Sequence, residues 1–178
     1  MSTLAVNTIT AETGNTVSLA SGKTLNASQG FVAPAGHVIQ VKHTVATSEV
    51  GLLDNGAYSN TGISIAITPT STSSKILLTL SMHMRRKSSN SDAGIGFRIL
   101  RDGTDIHTST QPYRNYSYDN GGFFDNRGSD TLIWLDSPSS TSSTVYVVQA
   151  RKYGGANAVC YVNSDGNHSY ASVMEISG

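Results

Sequence analysis

Charged residues and cysteine are scarce in this sequence. Asp, Glu, Lys and Arg make up 13% of its 178 residues, and 12 basic residues balance 12 acidic ones, so the formal net charge is zero. A nucleic-acid-binding protein needs clustered, excess Lys and Arg to meet the phosphate backbone, so we expect no nucleic-acid partner. The single cysteine, Cys160, cannot form an internal disulfide, which excludes a secreted disulfide scaffold.

Long apolar segments are also lacking. No stretch approaches the roughly 20 apolar residues of a membrane-spanning helix, so we expect no membrane insertion. The first ten residues, MSTLAVNTIT, have neither the basic region nor the apolar core of a signal peptide. We therefore expect a protein that is made in the cytoplasm.

Serine and threonine are abundant instead, at 45 residues, together with 17 glycines. Short apolar runs between such turn-forming residues are typical of all-β proteins. In the runs 63–67 and 76–84, apolar side chains alternate with others at the period of a half-buried strand. Residues 69–74 between them are a proline and five hydroxyl residues, and we predict an exposed turn that joins the two runs as a hairpin.

The remaining runs predict about eight short strands and no helix. The other expected strands are 37–44, 94–100, 131–135, 144–151, 156–163 and 169–177. Asp102-Gly103 lies between alternating runs and is a strong hairpin signal. The sequence therefore predicts an all-β fold in which residues 37–178 form an antiparallel sandwich of the jelly-roll type.

Residues 1–36 have a different composition. They contain few large aliphatic residues, and these are widely spaced. Most of the large aliphatic side chains belong to Leu4, Val6, Ile9, Val17, Leu19 and Leu25. Such a segment is too poor in apolar side chains to form a core alone, whereas three copies side by side would each supply a third of a narrow core. We predict an N-terminal arm for attachment and trimerisation. The alternative is an unstructured tail.

Aromatic residues cluster within residues 108–130, among amides, carboxylates and an arginine. This is the composition of an adaptable binding surface, in which aromatic rings pack on sugar C–H groups while Asn and Asp bond the hydroxyls. We predict that this loop binds a receptor, a host surface glycan, through Tyr113, Arg114, Tyr116, Tyr118, Asp119, Phe123 and Phe124. The alternative is that the rings cover one end of the sandwich or pack between subunits.

Patterns for catalysis and for metal binding are weak. The carboxylates that a glycosidase would pair, Asp119, Asp125, Asp130 and Asp136, lie in or beside turn-rich sequence, where Asp has ordinary structural roles. The five histidines lack the spacing of a metal site, although a trimer axis would bring three copies of one together. The basic run 83–87 is expected to be a solvated strand end. We expect no enzymatic activity, no cofactor and no metal.

Several segments, in order, resemble a module of structural proteins from marine and cyanobacterial bacteriophages: MSTLAVNTI, GKTLNASQGFVAPAGHVIQV, SIAITPTSTSSKILL, LRDGTDI, LDSPSSTSSTVYVVQA and SVMEISG. The resemblance spans nearly the whole chain. It implies a homotrimer in the virion, assembled in the host cytoplasm, whose N-terminal arm attaches to tail or capsid proteins and whose β domain faces outward.

That resemblance leads us to expect a short tail fibre or adhesin that attaches to the host surface. The alternative is a capsid decoration or cement protein, whose arm laces neighbouring capsid subunits while the head projects. A small glycan-degrading spike is a third possibility, and it would need a pair of catalytic carboxylates.

Overall fold

A computed structural model describes residue 21 and residues 34–52, 56–109, 114–117 and 121–178, the side chains of 114–117 excepted. The predicted arm lies outside this part, apart from Ser21 and Pro34–Gly36, and so do its apolar residues Leu4, Val6, Ile9, Val17, Leu19 and Leu25. The arm and its boundary stay predictions. The described strands all belong to one compact unit, Ala33–Gly178.

The described part is built from antiparallel strands. Their bounds are β1 (Val38–Ala46), β2 (Val50–Gly51), β3 (Ser59–Ile67), β4 (Lys75–Ser89), β5 (Ala93–Arg101), β6 (Thr104–Thr108), β7 (Arg114–Ser117), β8 (Phe123–Asp136), β9 (Thr144–Gly154), β10 (Val159–Val162) and β11 (Ser169–Ile176). Within it there is no helix with the length and hydropathy of a membrane span.

The strands form two sheets. In the six-stranded sheet, β4 pairs with β8 along one edge and with β11 and then β10 along the other, while β1 pairs with β11 and β2 with β10. In the five-stranded sheet, β9 lies between β3 and β5, and β5 pairs with β6 and β7 on its other edge. The prediction of an all-β antiparallel sandwich is confirmed.

Alternating side chains fill the space between the sheets. Every second residue from Ile63 to Ile67 and from Ile76 to Met84 is buried, as are Ile95, Phe97 and Ile99 of β5. These are the inward faces that the alternation predicted, because successive side chains of a strand point to opposite faces of its sheet. The predicted turn at 102–103 is also present, with both residues at positive φ (49° and 83°), and it joins β5 to β6.

The predicted hairpin between 63–67 and 76–84 is wrong. β3 pairs with β9 in one sheet, whereas β4 pairs with β8, β10 and β11 in the other. Residues 69–74 therefore carry the chain from one sheet to the other. This segment is not a simple exposed turn, since Pro69 and Ser74 are buried.

The two ends of the sandwich differ. We call the end where β4 begins and where β8 and β11 finish the base; there Ile76 pairs with both Asp136 and Glu175. The opposite end, where β4 finishes and β8 begins, is the tip, with Ser89 paired to Phe123. The described chain enters at the base, because the Gly36 N–H donates to Ser177 O at 2.7 Å.

A buried carboxylate holds the base together. Glu175 of β11 is completely buried, and it accepts hydrogen bonds from Gln40 Nε2 (2.6 Å) and from the Thr70 N–H, Thr70 Oγ1 and Ser74 Oγ (2.7 Å each). Burial raises the pKa of Glu175, but the hydrogen bonds together outweigh it and hold that pKa below its usual value. One side chain thus joins β1, β11 and the segment that crosses between the sheets.

We expect Glu175→Gln to lower the free energy of unfolding by about 1–3 kcal/mol, because the amide replaces one accepting oxygen by an NH₂ group, and three of the four donors point at Oε1 and one at Oε2. Urea unfolding of the variant and of the parent protein measures this loss. Glu49→Gln, at an exposed glutamate, is the matched control and leaves stability unchanged. Equal stability of all three proteins would contradict the role of Glu175.

The same carboxylate predicts a pH dependence. Its pKa is lower in the folded state than the roughly 4.3 of an unfolded glutamate, so its contribution is complete above that value and is lost as the pH falls through the folded pKa. Unfolding at a series of pH values between about 6 and 3 should therefore show a shallower loss of stability in Glu175→Gln than in the parent. Parallel curves would contradict it.

Candidate binding site at the tip of the sandwich

The tip presents side chains from three strands on the outer face of the six-stranded sheet. Lys87 of β4 pairs with Asp125 of β8 on one side and with Val159 of β10 on the other. Directly opposite residues in a sheet point to the same face, so these three side chains form one row across the outer surface. Phe123, paired with Ser89, lies one row closer to the end.

A shallow cavity of about 260 Å³ opens among these residues. Its lining consists of Lys87, Ser88, Ser89, Phe123, Asp125, Asn157 and Val159. The Phe123 side chain is 70% exposed, which is unusual for so large an apolar group and leaves one edge of the cavity hydrophobic. An apolar surface beside a few polar groups that fix orientation is the general composition of a ligand site.

A network of two arginines and two aspartates supports one wall of the cavity. Arg85 binds Asp125 through two hydrogen bonds, Nε to Oδ1 at 2.9 Å and Nη2 to Oδ2 at 2.6 Å, and its Nη1 lies 3.0 Å from Asp165 Oδ1. Arg127 closes the ring, since its Nε donates to Asp165 Oδ2 at 2.8 Å and its Nη1 lies 3.4 Å from Asp125 Oδ1. Two-point contacts of this kind fix the plane of a carboxylate, so Asp125 is held in a defined orientation.

The hydrogen bonds in this network shift the pKa values of its two aspartates. The hydrogen bond from Arg85 lowers the pKa of Asp125, and that from Arg127 lowers the pKa of Asp165. Both aspartates therefore carry full negative charge at neutral pH. His83 lies nearby on β4, and its burial lowers its pKa, so its ring is neutral there.

The structure separates the residues predicted to bind a receptor. Phe123 lines the cavity, whereas Phe124 packs against the core on the opposite face of β8, because the two are consecutive in one strand. Arg114 and Tyr116 belong to β7, which pairs with β5 at the tip. Tyr113, Tyr118 and Asp119 lie outside the described residues, so their role stays a prediction.

Sequence analysis missed Lys87, Asn157 and Val159 as members of the site. Lys87 was assigned to a solvated run, and the other two come from residues 155–162, some 70 positions later. The Gly154-Gly155-Ala156-Asn157 segment is a turn signal, and it marks the place where the chain returns to the tip. Only the register of β4 against β10 brings it beside Phe123.

The predicted solvated strand end at 83–87 is wrong. This run lies within β4, and alternation turns Met84 and Arg86 inward, so that Arg86 is only 7% exposed. Burial lowers the pKa of Arg86, and its Nε and Nη1 find no hydrogen-bond partner in the part of the chain that the structure describes. The outward residues of the run, Arg85 and Lys87, face the tip surface.

The candidate glycosidase carboxylates that the structure describes, Asp125, Asp130 and Asp136, do not form a pair. Asp136 lies at the base, where it accepts hydrogen bonds from Arg101 Nη1 (2.9 Å) and Tyr146 Oη (2.7 Å). Asp136 and Asp125 are eleven residues apart in one extended strand, a distance of about 37 Å. The two catalytic carboxylates of a glycosidase lie roughly 5–10 Å apart. Asp130 points to the opposite face of β8 from Asp125. Asp119 lies outside the described residues.

The side chains that could bind a metal ion are likewise dispersed in the described part of the chain. Among the described residues, no group of three or more His, Cys, Asp and Glu side chains is placed to hold an ion. Cys160 is completely buried on β10, and its Sγ lies 3.5 Å from Gly94 O.

Comparison with known proteins yields distant matches in solved structures. No protein-family model and no curated protein sequence matches the chain. Three of the matching structures come from infectious bursal disease virus: the Gx strain (TM-score 0.42, 13% identity, 88% of this chain and 36% of that one), the derived T=1 particles (0.38, 10%, 87% and 40%) and the VP2 subviral particle (0.37, 10%, 87% and 42%). The chain thus spans less than half the length of each, and at TM-scores below 0.5 these matches carry no conclusion about its function.

We expect Arg85→Met to raise the pKa of Asp125 towards the usual aspartate value, because the largest effect lowering it is the Arg85 hydrogen bond. The pKa of Asp165 should move less, since Arg127 is its main partner. Carboxyl ¹³C NMR titration measures both. Arg98→Met, which removes an arginine from the five-stranded sheet, is the control. An unchanged Asp125 would show that the network is absent in solution.

Proposed function

We propose that this protein is a bacteriophage virion structural protein, a homotrimeric short tail fibre or adhesin whose tip binds a host surface glycan without cleaving it. The observation that carries the proposal is the polarity of the head. The described chain enters at the base, and the cavity with the exposed Phe123 ring lies at the opposite end, about 50 Å away along the 15 residues of β4. A receptor-binding surface has to face away from its attachment point.

The strand order supports the jelly-roll form of the sandwich. The eight principal strands lie in the orders β1-β11-β4-β8 and β3-β9-β5-β6. Every neighbouring pair except β5 and β6 is distant in sequence, and apart from the tight turn between those two each connection crosses to the other sheet. Jelly rolls of eight strands occur in viral capsid domains and in lectins. A fold of this kind suits both a virion component and a sugar binder, and the site has to decide between functions.

The phage-like segments have structural roles at the base. LRDGTDI supplies Arg101, and LDSPSSTSSTVYVVQA supplies its partners Asp136 and Tyr146. SIAITPTSTSSKILL supplies three of the four donors for Glu175 of SVMEISG, and GKTLNASQGFVAPAGHVIQV supplies the fourth, Gln40. The resemblance therefore concerns the scaffold, while the ligand of the tip depends on loops and strand ends that a shared scaffold leaves free to vary.

In this proposal the N-terminal arm forms the trimer and attaches to other virion proteins after assembly in the host cytoplasm. A capsid decoration protein would use the same arm on the capsid surface. Labelling of the protein on intact virions separates the two: signal at the tail supports the adhesin, and signal over the whole capsid overturns it in favour of decoration.

We expect Phe123→Ala to weaken binding of the isolated protein to host cells about five- to tenfold, because loss of one aromatic contact costs roughly 1–1.5 kcal/mol. Folding should be unaffected, since the ring is largely exposed. Binding isotherms of fluorescently labelled protein on host cells measure the effect. Tyr153→Ala removes a partly exposed ring from β9 and is the control.

Retention of full affinity by Phe123→Ala would overturn the cavity as the receptor site. A triple variant, with Tyr113, Tyr116 and Tyr118 replaced by alanine, tests the predicted aromatic loop separately. Loss of binding in the triple variant alone would move the receptor site from the cavity to that loop.

A further inference from the structure

The outer face of the six-stranded sheet is apolar towards the base. Three rows cross its strands in the order β1, β11, β4 and β8. We call these twelve positions the apolar face: Val41, Met174, Leu77 and Leu135; His43, Ser172, Thr79 and Ile133; Val45, Tyr170, Ser81 and Thr131.

No position of the apolar face is Asp, Glu, Lys or Arg, although the same strands carry Arg85, Lys87, Asp125 and Arg127 on their outer side near the tip. Several of its aliphatic side chains are strongly exposed, with Ile133 at 62%, Val41 at 54% and Leu135 at 50%. From strand and residue spacings the face measures roughly 19 by 20 Å, or about 400 Å². Seven of the twelve side chains are aliphatic, thioether or tyrosine and the other five are Ser, Thr or His, so the apolar part is smaller than this area. Exposed apolar clusters of a few hundred Å² on a soluble protein mark interaction sites.

A second copy of the same chain fits this face. Packing two copies here removes the face from water, and because none of its twelve positions is Asp, Glu, Lys or Arg, the contact buries no unpaired charge. The place where the described chain enters the head also favours a second copy as the partner. Thirty-three residues precede Pro34, and β1, the first strand of the apolar face, begins four residues after it. Arms that trimerise would hold three heads together at the ends that carry the face.

The area explains why the face alone is not enough. A standard pairwise interface buries about 800 Å² on each partner, twice the area of this face. A tether that raises the local concentration of the heads to the millimolar range lets a contact of this size form. The face therefore acts together with another contact in the same assembly.

We propose that the apolar face points to the three-fold axis of the trimer, with the β1 half of each copy packed against the β8 half of the next. This inference rests on the trimer of the proposed function and adds which surface of the head forms it. In a three-fold ring the two halves differ, so Val41 of one copy lies near Ile133 of its neighbour, and each copy makes this contact twice, once with each half.

Cysteine cross-linking tests this arrangement in the full-length protein. With Val41→Cys and Ile133→Cys in one chain, a short bis-maleimide should give covalent trimers on a denaturing gel, because each copy is linked to two neighbours. Either substitution alone should give nothing larger than dimers. Cys160 is completely buried and does not react in the folded protein. Ala66→Cys with Tyr153→Cys, on the five-stranded sheet, is the control pair.

The outcomes separate this inference from the proposed function. Native mass spectrometry that shows a trimer without cross-linked trimers overturns the apolar face as its interface and leaves the adhesin proposal standing. Cross-linked dimers alone would show pairwise packing and overturn the three-fold arrangement. A monomeric parent protein would overturn the trimer itself. Cell binding by Phe123→Ala reports on the tip in every case.

A charged substitution on the apolar face tests the inferred trimer interface independently of cross-linking. Ile133→Lys places an ammonium group on a position that is 62% exposed, so the head still folds, but in each of the three contacts this group would be buried against Val41 of the neighbouring copy without a partner charge. We expect the dissociation constant of the trimer, measured by sedimentation equilibrium, to rise at least tenfold. Ala66→Lys, at an exposed position of β3, is the control. Equal values for the two variants would overturn the inference.

Discussion

The way the chain is arranged at the base of the sandwich depends on one buried carboxylate, that of Glu175. Removing an ionised group from water costs several kcal/mol unless hydrogen bonds replace its hydration, and Glu175 accepts four such bonds. The cost is offset only while Gln40, Thr70 and Ser74 keep their places. The segment between β3 and β4 must therefore cross the sheets on one path, and the start of β1 must lie beside the end of β11.

The base and the tip follow different electrostatic rules. At the base Asp136 and Glu175 are buried, and hydroxyl, amide, backbone and guanidinium donors surround them, so these contacts are little screened by salt. At the tip Arg85, Asp125 and Asp165 are partly exposed, where ion pairs contribute little to stability. A rigid base and a marginally stabilised tip allow the tip surface to change without loss of the fold.

Local pattern predicted most of the strands, and long-range pairing decided the rest. Alternation over 63–67, 76–84 and 95–99 is a property of each segment alone, so it was readable. The partner of a strand is not: β3 pairs with residues 144–150, and a polar connection suits a crossing between sheets as well as a hairpin. The first half of β8, FFDNRGSD, has no alternation, and its extended form comes from unbroken pairing with β4. Phe123 was found from its chemistry, whereas Lys87, Asn157 and Val159 join it only through register.

The alternation of inward and outward residues does not show how the polarity of the outward side chains changes from one end of a strand to the other. After Lys75 at its first position, the outward residues of β4 are Leu77, Thr79 and Ser81, then Arg85 and Lys87 towards the tip, and β8 opposite them changes in the same way. Because paired strands keep their register over their whole length, the two changes coincide and give the sheet face an uncharged middle stretch followed by a charged end at the tip. In the proposed trimer, the uncharged stretch would pack between heads and the charged end would supply the polar groups that orient a sugar. One sheet face would then serve both self-association and ligand binding.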